Sequence, residues 1–167
     1  MLPGIDLRLK NMIKSIEAVV LPAIPADQSL AKEQARLLIG HLAIIKDQWR
    51  HAVRFERGSF ENMVELAEKL SGHVDGQQSQ VLRDALGQVE NIDKADIDAL
   101  NDGICTLGAA IDTVILGDDG KKPLDREARK VILDYGAKNA LRERIWFQGV
   151  GIDPDRSELP PVADAIA

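Results

Sequence analysis

The fold is decided by residues 31–52, which read AKEQARLLIGHLAIIKDQWRHA. Apolar side chains return in this stretch at alternating steps of four and three residues. They are Ala31, Ala35, Leu38, Leu42, Ile45, Trp49 and Ala52. Because an α-helix turns once every 3.6 residues, this spacing gives one continuous apolar line, which we call the apolar seam. The seam predicts a long helix that packs lengthwise against neighbouring helices.

The same spacing recurs on both sides of this stretch. Residues 5–21 place Ile5, Leu9, Met12, Ile16, Val19 and Val20 on one face. Proline lacks a backbone donor, so Pro22 and Pro25 are expected to end this first helix. Further helices are predicted around Val81, Leu82, Leu86 and Val89, around Ile97, Leu100, Ile104, Leu107, Ile111 and Val114, and around Ala128, Ile132, Tyr135, Leu141 and Ile145. The strict alternation typical of strands appears nowhere.

The end of the second helix is open to two interpretations. Gly58 followed by Ser59 is typical of a helix stop and the N-cap of a new helix. The apolar pattern nevertheless continues through Phe60 and Met63 to Leu70. One bent helix that crosses Gly58 is therefore the alternative.

Side chains that accept hydrogen bonds from free backbone N–H groups indicate where the other helices begin and end. The expected N-caps are Asp27 or Ser29, then Asp93, then Asp125. Residues 117–120, which read GDDG, are expected to end the helix around Leu107.

These elements predict an all-α fold, namely an antiparallel helical bundle of about five to six helices with a four-helix-bundle-like core. A chain of 167 residues has the length of about one domain. We expect a single domain over residues 1–152 and an irregular tail over 153–167, where Pro, Asp and small residues dominate. The helical content should exceed about 60%, well above the average of roughly one third.

Charge and composition restrict the classes of partner. A net charge of −6 argues against nucleic acid and anionic membranes, which both attract a basic surface. No apolar run is expected to reach the roughly 20 residues that span a membrane, and residues 1–6 lack the basic start of a signal peptide. Cys105 is the only cysteine, so it is expected to be a small core residue of a cytoplasmic protein.

The residues that carry enzyme chemistry do not form a recognisable set. His41, His51 and His73 lie too far apart in sequence to bind one metal from a single helix turn, and no Glu-x-x-His pair exists. The chain also lacks a nucleophile elbow and a glycine-rich phosphate loop that follows a strand. We therefore expect no catalytic residue, no metal ligand, no cofactor and no enzymatic activity.

The most suggestive polar feature is a cationic stripe, defined as Lys46, Arg50, Arg54 and Arg57. Its steps of four, four and three would place all four cations on one helix face. Such a stripe could hold a phosphate or carboxylate ligand by charge-assisted hydrogen bonds. The acidic side chains of Glu61, Glu65 and Glu68 follow at similar spacing, which favours a solvated, ion-paired surface instead.

Glycines inside the predicted helices form a second feature. They are Gly40, Gly87, Gly103, Gly108 and Gly136. Each costs about 0.5–1 kcal/mol relative to alanine, so something should offset the loss. Close approach between helices is one explanation. Room for an elongated apolar ligand in the bundle core is the other.

Aromatic residues near the C-terminus form a third feature. Trp49 belongs to the seam and is expected in the core. Trp146 and Phe147 end the last helix and precede a tail with Leu159, Val162 and Ile166, which predicts an interface.

The leading hypothesis is a non-enzymatic interaction module that forms a homodimer and binds a partner protein. The alternative is a binding protein for an elongated acyl or apolar ligand.

Three short stretches carry a resemblance to a known family: VLPA at residues 20–23, LLIGHLAII at 37–45 and LNDGIC at 100–105. With them, the chain resembles an uncharacterised bacterial helical domain family associated with phosphotransferase-like kinases and acyl-CoA dehydrogenases. The resemblance implies an accessory helical bundle near acyl-CoA or kinase chemistry and carries over no catalytic residue. The chain departs from the family at Gly40, where the family prefers Asn, and in the run RIWF at residues 144–147.

Overall fold

The computed structural model describes residues 4–117, 124–151 and 153–165 of the chain. Of these residues 80% are helical, and none forms a strand. The predicted all-α fold and the expected helical content above about 60% are therefore confirmed. Residues 118–120, part of the expected GDDG terminator, and Ile166 lie outside the described residues.

The helices are numbered in chain order. They are α1 (Ile5–Ser15), α2 (Leu21–Ala23), α3 (Ser29–Gln48), α4 (Ala52–Ser71), α5 (Gly76–Val89), α6 (Ile97–Leu116), α7 (Arg126–Trp146) and α8 (Val162–Ala165). A π-helical turn, Ile16–Val20, joins α1 to α2, and 3-10 turns occupy Gln148–Val150 and Arg156–Glu158. The region after residue 152, expected to be irregular, thus contains one short turn and one short helix.

The chain divides into two compact units. Unit 1 comprises residues 1–50 and 144–162, and unit 2 comprises residues 51–143 and 163–167. These bounds do not coincide with the expected division into a domain over 1–152 and a tail over 153–167. The difference arises because the turn Gln148–Val150 packs on α3, which groups the residues after 143 with the N-terminal helices.

The core of unit 2 is built by α4, α5 and α6, which pack against one another. Leu70, Leu82, Leu100 and Leu107 are completely buried there. Each such leucine stabilises the fold by about 1.5–3 kcal/mol relative to an exposed position. Further apolar side chains of α7, including Val131, pack against this cluster.

Helix α6 corrects the expectation that no run could span a membrane. By length and composition Ile97–Leu116 is long and apolar enough to do so. One such helix is weak evidence, because the core helix of a protein in water meets the same criterion. Leu100, Leu107 and Val114 of α6 lie on one face, and that face is buried in the core of unit 2.

The break in the long second helix lies at residues 49–51 and not at Gly58. Helix α3 ends at Gln48, and α4 runs without interruption from Ala52 to Ser71. The predicted stop at Gly58 is therefore wrong. The alternative is correct in that a helix crosses Gly58, but the single bent helix that it described is divided at residues 49–51. The Ser59 hydroxyl donates to the carbonyl of Phe55 at 3.1 Å and caps no helix. An added Cβ at position 58 would lie 2.5 Å from Nη2 of Arg142, so the end of the Arg142 side chain would have to shift.

Of the two prolines expected to end the first helix, only Pro25 does so. The N–H of Leu21 donates to the carbonyl of Ile16 in a π turn directly before Pro22, and the chain stays helical to Ala23. Such a turn replaces the regular bonding that a proline without N–H would interrupt. Ile24 then becomes extended, as expected for a residue before proline.

The N-caps are partly as expected. Asp125 Oδ1 accepts the N–H of Ala128 at 2.7 Å, which confirms this cap. The cap of α6 is Asp96, whose Oδ1 accepts the N–H of Asp98, and Asp93 instead holds the preceding turn. At α3 the N-cap position belongs to Gln28 without a side-chain cap, so the expectation for Asp27 or Ser29 is wrong.

Unit 1 has a small core. Helix α1 packs on α3, and the apolar side chains buried in this unit are those of Leu9, Ala35 and Ile145. Trp49 is only half-buried, which corrects its expected place in the core. Its Nε1 donates to Asp6 Oδ1 at 2.9 Å. Hydrogen bonds of this kind hold the helix ends of unit 1 together where apolar burial is limited.

Candidate functional site

The cationic stripe does not form one helix face, because the break at residues 49–51 divides it. Lys46 and Arg50 belong to unit 1, whereas Arg54 and Arg57 lie in α4 of unit 2. Arg50 pairs with Asp6 and lies over the ring of Trp49, 5.2 Å from its centroid. Lys46 lies 3.8 Å from Asp47. The pair in unit 1 is therefore already engaged by neighbouring side chains.

The other pair lies at a groove between α4 and α7. Within unit 2 the two helices are antiparallel, since Arg142 Nη2 donates to the carbonyl of Phe55 at 2.9 Å and Lys138 contacts Glu65 at 3.2 Å. The groove consists of two adjoining depressions of about 440 and 300 Å³. Both are lined by Asn62, Glu65 and Lys138, so they form one candidate site.

The larger depression contains more cations than carboxylates. Its lining residues are Arg54, Arg57, Gly58, Glu61, Asn62, Glu65, Lys138 and Arg142. This excess of positive charge contrasts with the net charge of −6 of the whole chain. An excess of cations in a concave site favours an anionic ligand.

The two carboxylates of the larger depression already have cationic partners. Glu65 contacts Lys69 at 2.6 Å and Lys138 at 3.2 Å, and these contacts hold its pKa below the ordinary value, with the Lys69 hydrogen bond as the larger cause. Glu61 lies 3.8 Å from Lys94. Arg54 makes no hydrogen bond or ion pair within the described part of the chain. Its guanidinium is therefore available to a ligand.

Two donors at this groove are buried without a hydrogen-bond partner. They are Nδ2 of Asn62 and Nε of Arg142. Asn62 is only 7% exposed. A buried donor that stays unpaired costs about 1–3 kcal/mol, so each of these two groups gains from an acceptor that reaches it.

Acidic groups also lie close to Arg142. The pKa of Glu56 is raised, chiefly by burial and then by the neighbouring carboxylate of Glu143, while Arg142 opposes this rise. The guanidinium of Arg142 lies over the Phe55 ring, 5.1 Å from its centroid. Arg142 is thus held in place by a ring, a carbonyl and nearby carboxylates, and its buried Nε remains without a partner.

The smaller depression adds an apolar wall to the site. Leu66, Val131 and Tyr135 line it together with charged residues, among them Lys130 and Asp134. The Tyr135 hydroxyl donates to Sδ of Met63 at 2.9 Å. Burial, followed by the charge of Glu143, raises the pKa of Tyr135, so the phenol stays protonated at neutral pH.

Sequence reasoning missed Asn62, Lys138 and Arg142. A usable signal existed for the first of them. Asn62 is a polar residue next to the buried line of Phe60, Met63 and Leu66, and a buried amide requires a partner. The other two lie far along the chain, and only tertiary packing brings them to α4.

The predicted aromatic anchors lie in unit 1. Phe147 is 50% exposed, and Trp146 is half-buried with its carbonyl accepting from Nε2 of Gln48 at 2.7 Å. The tail is tied back to this end of α7, because Arg144 donates to both oxygens of Asp153 at 2.7 and 3.3 Å. Of the two adjacent aromatic side chains, Phe147 is therefore the more accessible.

The helix-interior glycines do not share one environment. A Cβ at Gly103 would lie 2.8 Å from Cε2 of Phe60, whereas Gly40, Gly87 and Gly136 have nothing within 4 Å of such an atom. Close helix approach thus explains Gly103, and none of these four glycines lines the two depressions. The hypothesis of an elongated ligand in the core stays a prediction.

Metal and thiol chemistry gains no support from the described residues. In that part of the chain no three His, Cys, Asp or Glu side chains are grouped as metal ligands. Cys105 is exposed, which corrects its expected place in the core. The reason is that α6 buries the face with Leu100, Gly103 and Leu107, and position 105 lies away from it.

Replacing Asn62 with leucine should raise the free energy of unfolding by about 1 kcal/mol, because it removes a buried unpaired donor and keeps the volume. Urea denaturation followed by far-ultraviolet circular dichroism measures the change. The matched control is Asn101→Leu on the exposed face of α6, expected to stay within about 0.5 kcal/mol of the parent. A clear loss of stability in Asn62→Leu would mean that the amide is fully hydrogen-bonded in solution.

Comparisons of the chain with protein families, with curated proteins and with solved structures give no match. The resemblance to the bacterial helical domain family therefore stays a prediction, and the function has to be inferred from the residues themselves.

Proposed function

We propose that this chain is a non-enzymatic, cytoplasmic interaction module that self-associates as a homodimer through unit 1. The observation that carries the proposal is the number of large apolar side chains that are exposed on unit 1. Contiguous apolar surface of more than a few hundred Å² usually marks an interaction site.

The apolar surface of unit 1 is defined by large side chains that are more than one third exposed. They are Ile5, Leu7, Met12, Val19, Val20, Leu30, Leu37, Leu38, Ile45, Phe147 and Val150. Among the residues of this unit that the structure describes, only Leu9, Ala35 and Ile145 are buried and apolar. A unit with so few buried side chains gains little from folding alone, because ordering the backbone costs about 1–2 kcal/mol per residue. A covering surface would supply the missing burial.

The periodicity of α3 favours a second copy of this chain as that covering surface. Within α3 the seam keeps its alternating steps of four and three, yet Leu38 is 56% and Ile45 is 47% exposed. Such a heptad line is the pattern by which two helices pair along their length. In a twofold dimer the same surface meets itself, so an apolar face on one copy always finds an apolar face on the other.

The C-terminal region extends the same proposal. Phe147 and Val150 are exposed beside the turn that packs on α3. Aromatic side chains anchor interfaces well, because they bury a large area at low entropic cost. We therefore include Phe147 in the interface and expect a total buried area of about 1,200–2,000 Å².

Light scattering coupled to size-exclusion chromatography tests the proposal on two proteins. The intact chain should have twice the mass of one polypeptide. A chain that ends at Gly149 should form a weaker dimer, with a higher dissociation constant, because it lacks Val150 and the tail. A monomeric intact chain at about 100 μM would contradict self-association. A truncated chain that dimerises as tightly as the intact one would remove the residues after Gly149 from the interface, since both chains retain Phe147.

A further inference from the structure

We propose that the groove between α4 and α7 binds a small molecule through an oxyanion group, a phosphate or a carboxylate, which accepts hydrogen bonds from Asn62 and Arg142 and pairs with Arg54. The groove lies within unit 2, so this proposal does not rest on self-association through unit 1.

The first support is the kind of polar atom left without a partner. In the described ranges of the chain, two buried side-chain atoms lack a partner, Nδ2 of Asn62 and Nε of Arg142. Both are donors, and both residues line the larger depression. Donors are satisfied by acceptors, and oxyanions supply several acceptor sites at once. The second torsion of asparagine has a broad minimum, so a rotation of the Asn62 amide toward a bound oxyanion requires no change of rotamer.

The second support is the charge that remains once the internal pairs are formed. Glu65 is neutralised by two lysines, and Glu61 lies beside Lys94. Arg57 donates through Nε and Nη2 to the carbonyl of Lys94, which fixes its position and leaves Nη1 free of that contact. Arg54 stays without a partner in the described chain. Arg54 and Arg57 thus supply positive charge without an ion pair in the described part of the chain, whereas Glu56 and Glu143 lie near Arg142.

The third support is the packing that keeps Arg142 in place. Its guanidinium fits over Gly58, where any side chain would collide with Nη2 and Nη1 at 2.5 and 2.9 Å. A glycine in the middle of α4 costs about 1 kcal/mol relative to alanine. Glycine at position 58 thus lets the guanidinium keep this position against α4 without a shift.

The adjoining depression indicates the size of the ligand. Leu66, Val131 and Tyr135 supply apolar surface next to the cationic part, and the two depressions together have the volume of ordinary small-molecule sites. An oxyanion in the larger depression leaves room for a compact apolar or aromatic body in the smaller one. The ligand class is therefore a small amphiphilic anion.

Nuclear magnetic resonance on the intact, ¹⁵N-labelled chain tests the proposal with two probes, inorganic phosphate and acetate. Each is titrated at constant pH and ionic strength, with sodium chloride as the compensating salt. We expect saturable shifts of the side-chain signals of Asn62 and Arg142 with at least one probe. Saturation by phosphate alone identifies a phosphate ligand, and saturation by both identifies the wider oxyanion class. Shifts that stay linear with both probes would overturn the proposal.

Two variants of equal charge make the test specific. Arg54→Gln should weaken probe binding at least about tenfold, because it removes a charge-assisted contact. Arg126→Gln removes the same charge from an exposed position of α7 outside both depressions, and its affinity should stay within about twofold of the parent. Equal weakening in both variants would mean that the probe senses only overall charge, which contradicts a built site. Arg54 is exposed, so its replacement leaves the folded core intact.

Discussion

Replacing Leu38 and Ile45 together with glutamate should convert the proposed dimer into a monomer, with the dissociation constant raised at least about 100-fold. Both side chains are about half exposed in the single chain, so glutamate is tolerated there when the surface faces water. Across a dimer interface the same carboxylates would lose water without gaining partners, at a cost of several kcal/mol. Light scattering at a concentration where the parent is dimeric measures the effect.

The control for this experiment is Leu133→Glu on α7. Leu133 is 72% exposed and belongs to unit 2, so its replacement should leave the dimer intact. Far-ultraviolet circular dichroism should show the same helical content for the parent and both variants. If the Leu38 and Ile45 variant stays dimeric while it remains folded, the apolar seam of α3 is not the interface.

Exchanging glycine for alanine should have opposite effects at two positions of unit 2. At Gly136, exposed with nothing within 4 Å of an added Cβ, alanine should raise the free energy of unfolding by about 0.5–1 kcal/mol. At Gly103 the same methyl group would meet Cε2 of the buried Phe60 ring at 2.8 Å. Overpacking of this kind costs about 1–3 kcal/mol and outweighs the gain in helix propensity. Gly103→Ala should therefore destabilise by about 1–2 kcal/mol.

Urea denaturation of the two variants and the parent measures this difference directly. Both substitutions change the unfolded chain in the same way, so the difference between them reports the folded environment alone. Combining Gly103→Ala with Phe60→Leu should cost less than the sum of the two single losses, because the smaller side chain makes room for the methyl group. Equal stability of the two alanine variants would mean that Gly103 is not held against Phe60 in solution.

The helical class of this protein is a property of its local sequence. The steps of three and four in the seam and around Leu100 and Leu107 predict helices that the structure confirms, because the helix period acts on neighbouring residues. The cap at Asp125 and the stop before Pro25 follow for the same reason, since both depend on backbone donors only a few residues away. Sequence alone determines such features well.

The predictions from sequence were wrong at positions where the local structure depends on a residue far away in the chain. Gly58 is typical of a helix end, but it accommodates Arg142, which lies on another helix and far along the chain. Likewise the spacing of Lys46, Arg50, Arg54 and Arg57 predicts one cationic face, and the break at residues 49–51 divides it. Periodicity could not reveal this break because the apolar seam runs through it without a change of step.

The composition of the candidate site likewise depends on tertiary structure, because its residues come from segments that are far apart in the chain. A helix pattern shows that Asn62 lies near a buried line, but not whether its amide has a partner. That depends on which atoms of α7 lie opposite. Antiparallel packing of α7 brings Arg142 and Lys138 to the groove, and burial leaves two donors unpaired there. Local periodicity thus determined which segments are helices, and packing between segments far apart in the chain decided which of their polar groups meet.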